Sequence, residues 1–144
     1  MADCKVSICI PAYNNGLYIK RLFDSIEQQS YRDYEIILTD DSPQNEVVEV
    51  VDNYKDRMAI RYYKNDEQLG PTKNCNRAIS FARGEYIKVM HHDDWFAKND
   101  GLQCFVDMLD KNSRVSLAFS GTEQVSAKKR YTRHIEPDQV KKLK

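Results

Sequence analysis

Strand-like and helix-like segments alternate along most of this chain, and this alternation constrains the possible folds more than any other feature. Five short runs rich in β-branched and aliphatic residues are predicted as strands, at residues 6–10, 34–39, 60–64, 86–90 and 115–119. Between them, apolar residues recur at three- and four-residue intervals, as in amphipathic helices, over residues 17–29, 44–54, 71–82 and 98–109. This alternation predicts an α/β domain with a mostly parallel sheet, helices on both faces and right-handed crossovers.

Length and charge indicate one domain with a basic end. The chain has 144 residues, of which 41% are hydrophobic, so it can bury a core. Its 22 basic and 22 acidic residues balance, which disfavours nucleic acid as a partner. Residues 125–144, however, include seven basic and two acidic residues. We therefore expect a core over residues 1–124 and a basic tail over residues 125–144, interpreted as a solvated segment, with a binding arm as the alternative.

The cysteines and the N-terminal segment indicate a cytoplasmic protein. Cys4, Cys9, Cys75 and Cys104 show no CxxC spacing, which is typical of small core residues in a reducing compartment. The apolar segment after Lys5 is short and leads into proline and asparagine, unlike a secretory signal. No apolar run approaches the length needed to span a membrane.

Stretches of unusual composition follow three of the predicted strands at the point where each strand ends. They lie at residues 11–14, 40–41 and 91–94. In an open parallel sheet, ligands bind outside the carboxyl ends of the strands, where the strand order reverses. We therefore expect these three stretches to form one site.

The adjacent carboxylates Asp93 and Asp94 are the strongest single indication of chemistry. Two such groups repel each other unless a cation or several donors lie between them, and a divalent metal ion with phosphate oxygens as further ligands is the usual partner. This predicts a metal–phosphate site. The alternative is that Asp93 caps the next helix while Asp94 is solvated.

The remaining candidate residues each allow two interpretations. Tyr13 offers a face for stacking or packs against the protein. Asp40 belongs to a second carboxylate pair that suits hydrogen bonds from a base or ribose, or it caps the following turn, as Asp before Ser-Pro commonly does. Lys73, at the start of a helix whose free N–H groups favour anions, approaches a phosphate or a base edge, or is simply solvated. Asn76 binds the ligand or the neighbouring loop.

Five stretches together carry a family resemblance. They are VSICIPAYN at residues 6–14, DDS at 40–42, GPTKNCNRA at 70–78, RGEYI at 83–87 and HHDD at 91–94. In this order and spacing they resemble the family 2 glycosyltransferases of the GT-A fold, a Rossmann-like nucleotide-binding fold. The resemblance spans about residues 5–119 and is greatest to the bacterial surface-polysaccharide members.

The resemblance implies an enzyme that transfers a sugar, with inversion, from a nucleotide-diphosphate sugar to a polysaccharide or glycolipid acceptor. A UDP-sugar is favoured as the donor. In such enzymes the loop matching Pro11, Ala12 and Tyr13 cradles the base, and the tyrosine stacks on it. The carboxylate matching Asp41 contacts the uracil edge.

The resemblance also implies a divalent cofactor, Mn²⁺ or Mg²⁺. The residue matching Asp93 faces the ribose or the metal, and the one matching Asp94 binds the ion that bridges the diphosphate. The ion offsets charge on the leaving nucleotide diphosphate while an acceptor hydroxyl attacks the anomeric carbon. Here His91 occupies the first position of the family's Asp-x-Asp motif. A ligand histidine would favour Mn²⁺, but we assign His91 and His92 to loop support or donor contact.

No catalytic residue is assigned. The family's catalytic carboxylate lies beyond residue 144, and Glu136 and Asp138 lie too close to the chain end to replace it. We expect the donor-binding part of a transferase, with the tail beginning an acceptor-binding portion and the full-length enzyme in peripheral contact with a membrane. The alternative is a catalytically silent nucleotide-sugar-binding module completed by a partner or by further C-terminal residues. A receiver-type phosphoacceptor domain is disfavoured because its acidic pair follows the first strand.

Overall fold

A computed structural model describes residues 3–126 and 129–133 of the chain. The strands in this part are β1 (Cys4–Ala12), β2 (Tyr34–Asp40), β3 (Ile60–Lys64), β4 (Gly84–Val89), β5 (Thr122–Val125) and β6 (Arg130–Arg133). The helices are α1 (Gly16–Glu27), α2 (Glu46–Asp52), α3 (Pro71–Ser80) and α4 (Gly101–Asp110). None of these helices is long and apolar enough to cross a membrane.

The first four strands form one parallel sheet in the order β3-β2-β1-β4. In this sheet β1 is central, so that Ile8 pairs with Ile36 on one side and with Lys88 on the other. The α/β class and the mostly parallel sheet are therefore confirmed. Strand order reverses at β1, because β2 and β3 lie on one side of it and β4 on the other.

Helix α3 covers one face of the sheet. Cys9 of β1, Ile37 of β2 and Ala78 of α3 are fully buried together, and partly buried aromatic rings pack against them. Thr39 points to the same face and donates from its Oγ1 to the Asn74 carbonyl oxygen at 3.0 Å. Cys9, Ile37 and Thr39 thus lie on one face of the sheet. They contact α3 because successive side chains of a strand point to opposite faces.

Helix α1 lies on the opposite face. Tyr34, on the same face of β2 as Ile36, donates from its hydroxyl to the Ile26 carbonyl oxygen of α1 at 3.4 Å. The residues at the predicted helical spacing in α1, Ile19, Leu22, Phe23 and Ile26, are all fully buried. Helices thus cover both faces, which also confirms the predicted layering.

Gly84 allows the edge strand β4 to begin tight against β1. A Cβ at this position would lie 2.5 Å from the Ser7 nitrogen, closer than side-chain carbons approach backbone atoms. The buried Ser7 Oγ accepts from the Gly84 N–H at 2.8 Å and donates to Glu35 Oε1 at 2.7 Å. This network joins the starts of three neighbouring strands.

The chain divides into two compact units, Met1–Gln103 and Cys104–Lys144. The first contains the parallel sheet. In the second, β5 pairs with β6 in an antiparallel hairpin, with Glu123 opposite Thr132. The basic tail expected from residue 125 therefore begins within this hairpin, and its residues 134–144, with Glu136 and Asp138, lie outside the described part.

The prediction of a fifth strand at residues 115–119 is wrong. This stretch belongs to no strand, and Leu117 within it is 72% exposed. Its alternation of apolar and small residues suits a strand, but a strand also needs backbone hydrogen bonds from a neighbour. In the described part of the chain, the pairing in this unit is made by residues 122–125 with 130–133 instead.

Candidate functional site

The carboxyl ends of β1, β2 and β4 lie side by side at one edge of the sheet. Pairing continues to this edge, because Ala12 is in register with Asp40 and the Met90 N–H donates to the Cys9 carbonyl oxygen at 3.0 Å. Parallel strands with a reversal of order leave a crevice at that point for a ligand. The stretches at residues 11–14, 40–41 and 91–94 therefore share one edge, as the sequence predicts.

Two asparagines with left-handed backbone conformations turn the chain after β1. Asn14 has φ 52° and Asn15 has φ 59°, a region that asparagine tolerates better than most residues. Side chains following β2 hold the turn, because the Asn14 N–H donates to Ser42 Oγ at 2.6 Å and the Asn15 N–H to Glu46 Oε2 at 3.2 Å. Tyr13 immediately before the turn is 42% exposed, which leaves its ring available for stacking.

Pro11 and Ala12 are buried, so they present backbone rather than side chains at the edge. The Ala12 carbonyl oxygen accepts from the Asp41 N–H at 3.0 Å and from Asn74 Nδ2 at 3.2 Å. Hydrogen bonds therefore hold the backbone of this segment in place immediately before Tyr13.

Asp41 organises the loop that leads into α3. Its carboxylate accepts from Asn65 Nδ2 at 2.7 Å and from the N–H groups of Leu69 and Gly70 at 2.7 and 2.8 Å. Burial alone would raise the pKa of Asp41, but these hydrogen bonds together hold it below its usual value. The site therefore keeps a negative charge at this position at neutral pH.

Asp40 has a structural task. Its Oδ1 accepts from the Ser42 N–H at 2.9 Å and from the Ser42 hydroxyl, which confirms the predicted cap of the Ser-Pro turn. Its Oδ2 accepts from Tyr62 Oη at 2.7 Å and forms an ion pair with Lys64 Nζ at 2.9 Å. Burial, followed by the bond to Asp40, raises the pKa of the Tyr62 hydroxyl.

Sequence reasoning missed two buried amides, Asn65 and Asn74. Asn74 donates to the carbonyl oxygens of Ala12 and Thr39, at 3.2 and 3.1 Å, and accepts from Asn65 Nδ2 at 3.0 Å. It thereby ties α3 to the ends of β1 and β2. The available signal was its position four residues before the buried Ala78, which places a polar side chain on the face of the helix that contacts the sheet.

Lys73 and Asn76 are exposed on α3. This helix begins after Gly70, which has φ 81°, with Pro71 at its first position. The bonds from Leu69 and Gly70 to Asp41 hold the start of α3 beside the end of β2. Lys73 thus lies in the first turn of a helix whose N-terminus is anchored at the site.

A tight turn carries Asp93 and Asp94. The Asp94 N–H donates to the His91 carbonyl oxygen at 3.0 Å, and Asp94 Oδ2 accepts from the His91 N–H at 3.4 Å. Both carboxylates are exposed. The alternative that Asp93 caps the next helix is wrong, because α4 begins only at Gly101.

Helix α1 anchors the segment that follows this turn. The Arg21 guanidinium lies 3.6 Å from the centre of the Trp95 ring, and the Phe96 N–H donates to Ser25 Oγ at 3.1 Å. Just after α1, the fully buried Gln29 donates to the Lys98 carbonyl oxygen at 2.9 Å and accepts from the Leu102 N–H at 2.9 Å. Side chains of α1 and of Gln29 therefore hold the segment at residues 95–98 that follows the acidic turn.

The acidic pair fits a divalent cation only together with further ligands. Over residues 3–126 and 129–133, no three His, Cys, Asp or Glu side chains form a group able to hold a metal ion. Two exposed carboxylates suit an ion such as Mg²⁺, which commonly takes one or two protein carboxylates and completes its shell with phosphate oxygens and water. The donor set thus suits a metal–diphosphate complex rather than a metal ion alone.

A separate open cleft of about 610 Å³ lies beside this edge. Its lining residues are Asn14, Asn15, Gly16, Leu17, Glu46, Glu49, Val50 and Asn53. None of the predicted ligand-binding residues lines it. We therefore centre the candidate site on the strand ends, where the topology and the acidic pair coincide.

Known proteins are similar in sequence to this chain over most of its length. The chain is 33% identical over 138 residues to an uncharacterized glycosyltransferase of Rickettsia conorii, covering 94% of this chain and 22% of that protein. It is 33% identical over 92 residues to the GalNAc(5)-diNAcBac-PP-undecaprenol beta-1,3-glucosyltransferase of Campylobacter jejuni, covering 62% and 30%. The chain thus spans less than a third of either protein.

Solved structures share its fold. Residues 1–349 of Staphylococcus aureus TarS, in complex with UDP-GlcNAc, match with a TM-score of 0.70 and 25% identity, over 76% of this chain and 32% of that one. The mannosyltransferase PcManGT of Pyrobaculum calidifontis, in complex with GDP-Man and Mn²⁺, matches with a TM-score of 0.68 and 22% identity, over 74% and 32%.

The family model described as Glycosyl transferase family 2 matches residues 7–143. This match confirms the resemblance inferred from the five stretches. Because it extends over nearly the whole chain, this chain belongs to glycosyl transferase family 2.

Proposed function

We propose that this chain forms the nucleotide-sugar-binding part of an inverting glycosyltransferase that uses a UDP-sugar and a polysaccharide or lipid-linked acceptor. One observation carries the proposal: Tyr13, Asp41 and the Asp93–Asp94 pair lie at the carboxyl ends of three neighbouring strands. These residues supply a stacking face, a fixed negative charge and two exposed carboxylates at one edge of the sheet. A base, a ribose and a metal-bound diphosphate need these three kinds of contact.

In this proposal the base stacks on the Tyr13 ring and contacts the backbone of Pro11 and Ala12. Asp41 accepts the uracil N–H. A carboxylate has about four acceptor positions, and Asp41 uses three of them on the loop before α3. One position is therefore left for the base, and the low pKa of Asp41 keeps it an acceptor.

Lys73 and Asn76 extend the same pocket from α3. Free N–H groups and the dipole at a helix N-terminus favour an anion, and the Lys73 ammonium in the first turn adds a full positive charge. We assign Lys73 to the phosphates or the base edge and Asn76 to the donor.

Asp93 and Asp94 would hold Mn²⁺ or Mg²⁺, with Asp93 also placed to contact the ribose. When bound, the ion neutralises charge that develops on the leaving diphosphate. The His91 backbone supports the turn, since its carbonyl oxygen accepts from the Asp94 N–H and its own N–H donates to Asp94 Oδ2. For the His91 and His92 side chains we retain loop support or donor contact. The Mn²⁺ and GDP-Man bound by PcManGT support a metal in a site of this fold.

The names of two similar proteins support the donor and the acceptor class. TarS binds UDP-GlcNAc, and the Campylobacter jejuni relative is named as a glucosyltransferase acting on an undecaprenol-linked saccharide. Peripheral membrane contact of a longer enzyme would suit such an acceptor. The four cysteines are free, which supports a reducing compartment and hence the cytoplasm.

We retain residues 1–124 as the donor-binding core and residues 125–144 as the start of an acceptor-binding portion. A catalytically silent nucleotide-sugar-binding module is the second candidate, because the residues assigned above all contact the donor. The two differ in one measurement: sugar transfer or donor hydrolysis by this chain alone would eliminate the silent module.

Nucleotide-dependent thermal stability tests the proposed donor site. We expect UDP to raise the melting temperature when Mn²⁺ or Mg²⁺ is present, and to raise it more than GDP does. Asp94→Ala should abolish the metal-dependent shift, because one of two protein ligands is lost. The exposed Asp66 provides the matched control, Asp66→Ala. An equal shift in the Asp94 variant would remove the metal assignment, and a larger shift with GDP would remove the uracil assignment.

A further inference from the structure

Lys88 is a half-buried cation whose role the donor pocket does not explain. It lies in β4, in register with Ile8 of the central strand. Ile8 is fully buried on the face that α1 covers, so the Lys88 side chain projects to that same face. A lysine inside a strand on this face is unusual, because its neighbours in register are buried aliphatic residues.

Asp94 turns back toward the strand that carries Lys88. The turn at residues 91–94 brings Asp94 Oδ2 to 3.4 Å from the His91 N–H, at the carboxyl end of β4. The Lys88 ammonium itself lies 3.4 Å from the Val89 carbonyl oxygen, which is also at this end of the strand. Backbone geometry thus brings the two opposite charges to the same strand end.

The electrostatics agree with this placement. Burial lowers the pKa of the Lys88 ammonium, and the attraction of Asp94 acts in the opposite direction. Asp94 therefore lies within electrostatic reach of Lys88 and favours its charged form. A charged group in this environment costs free energy, which favours a role in addition to packing.

We propose that Lys88 is a resident positive charge of the metal–diphosphate site, placed at the strand end that also carries Asp94, and that it attracts the diphosphate. This inference rests on the proposed function of the same site. The inference extends that function, because Lys88 would supply part of the positive charge at the diphosphate in addition to the metal ion.

A fixed cation at this point affects the two ligands in opposite directions. It attracts the diphosphate and repels the divalent ion, since like charges repel and opposite charges attract over the same short range. Removing it should therefore weaken the binding of UDP without metal and strengthen the binding of the metal. A residue that only supports the fold would weaken both.

Lys88→Met tests this directly, because methionine has a similar length, suits partial burial and carries no charge. We expect UDP affinity in EDTA, measured by isothermal titration calorimetry, to fall about five-fold. We expect Mn²⁺ affinity at saturating UDP, measured from free Mn²⁺ by electron paramagnetic resonance, to rise by a similar factor. Lys88→Arg should restore both values, and Lys55→Met, in the turn that follows α2, should change neither.

The outcomes separate the two proposals. If the wild-type chain binds no UDP with or without Mn²⁺, the proposed function fails and the role of Lys88 fails with it. If the wild type binds but Lys88→Met changes neither affinity, or weakens both, only the role of Lys88 is overturned. Far-ultraviolet circular dichroism and urea unfolding establish that each variant is folded, and Lys88→Gln is the second neutral variant if Lys88→Met is not.

Discussion

Asp40 and Asp41 are adjacent and chemically identical, yet their surroundings give them different tasks. Asp40 is enclosed by Tyr62 and Lys64 and caps its own turn, so it has no remaining function at the crevice. Asp41 accepts backbone and amide N–H groups instead and forms no hydrogen-bonded ion pair of the kind that joins Asp40 to Lys64 in the described part of the chain. The direction of the neighbouring donors therefore determines which carboxylate is available to a ligand.

Tyr13→Ala tests the stacking role at the same scale. We expect UDP affinity in the presence of Mn²⁺ to fall about ten-fold, because stacking of a base on an aromatic ring contributes about 1–3 kcal/mol. The free energy of unfolding should change little, since the ring is 42% exposed. Tyr18→Ala is the control, as Tyr18 is 45% exposed in α1. Calorimetry checks the affinity, and unchanged UDP binding by Tyr13→Ala would contradict the stacking assignment.

At the scale of elements, α3 is placed by polar contacts as much as by apolar packing. Ala78 supplies its buried apolar contact, whereas Asn74 connects the helix to two strand ends. Since the loop before α3 is also fixed by Asp41, the helix and the loop form one support for the ligand edge of the sheet.

Asn74→Ala tests this support. It leaves the Ala12 and Thr39 carbonyl oxygens without their amide donor in a buried environment, so we expect the free energy of unfolding to fall by about 1–3 kcal/mol. UDP affinity should fall as well, because Asn65, which donates to Asp41, loses its second hydrogen bond, the one to Asn74 Oδ1. Ser80→Ala, an exposed change in the same helix, is the control. Urea unfolding measures the stability, and a loss no larger than that of Ser80→Ala would argue against the anchoring role.

At the scale of the whole molecule, buried and partly buried carboxylates link stability to pH. Burial alone would raise the pKa of Glu35, but bonds from Ser7 and Arg61 hold it below its ordinary value of 4.5. For Asp41, too, burial raises the pKa and hydrogen bonds lower it, and the result lies below the ordinary value of 3.8. Groups with lowered pKa values stabilise the fold above their unfolded pKa, and this contribution is lost as the pH falls through the folded values.

We therefore expect the free energy of unfolding to be nearly constant from pH 7 to about pH 5 and then to fall by roughly 1–3 kcal/mol by pH 3. Urea unfolding across this range provides the measurement. Glu35→Gln should be less stable than the wild type at pH 7 and should show a shallower loss on acidification. A parallel loss in the variant would show that other groups cause the pH dependence.

The sequence alone determined the parallel α/β sheet, the family and the stretches that meet at its ligand edge. Each of these depends on local patterns: β-branched runs, helical spacing, and polar residues where strands end. The Asp40 cap was predictable for the same reason, since it depends on residues two positions apart. The assignment of Asp41, Asp93 and Asp94 to particular ligand atoms stays a prediction.

Only the tertiary structure decided features that depend on partners distant in sequence. The apolar stretch at residues 115–119 has the composition of a strand, but strand formation requires a neighbouring backbone, and the strands of this unit pair at residues 122–125 and 130–133 instead. Asn74 gains its role because α3 lies against two strand ends that are 62 and 35 residues away in the chain. Lys88 acquires its charged neighbour only because the turn after β4 folds Asp94 back toward the strand.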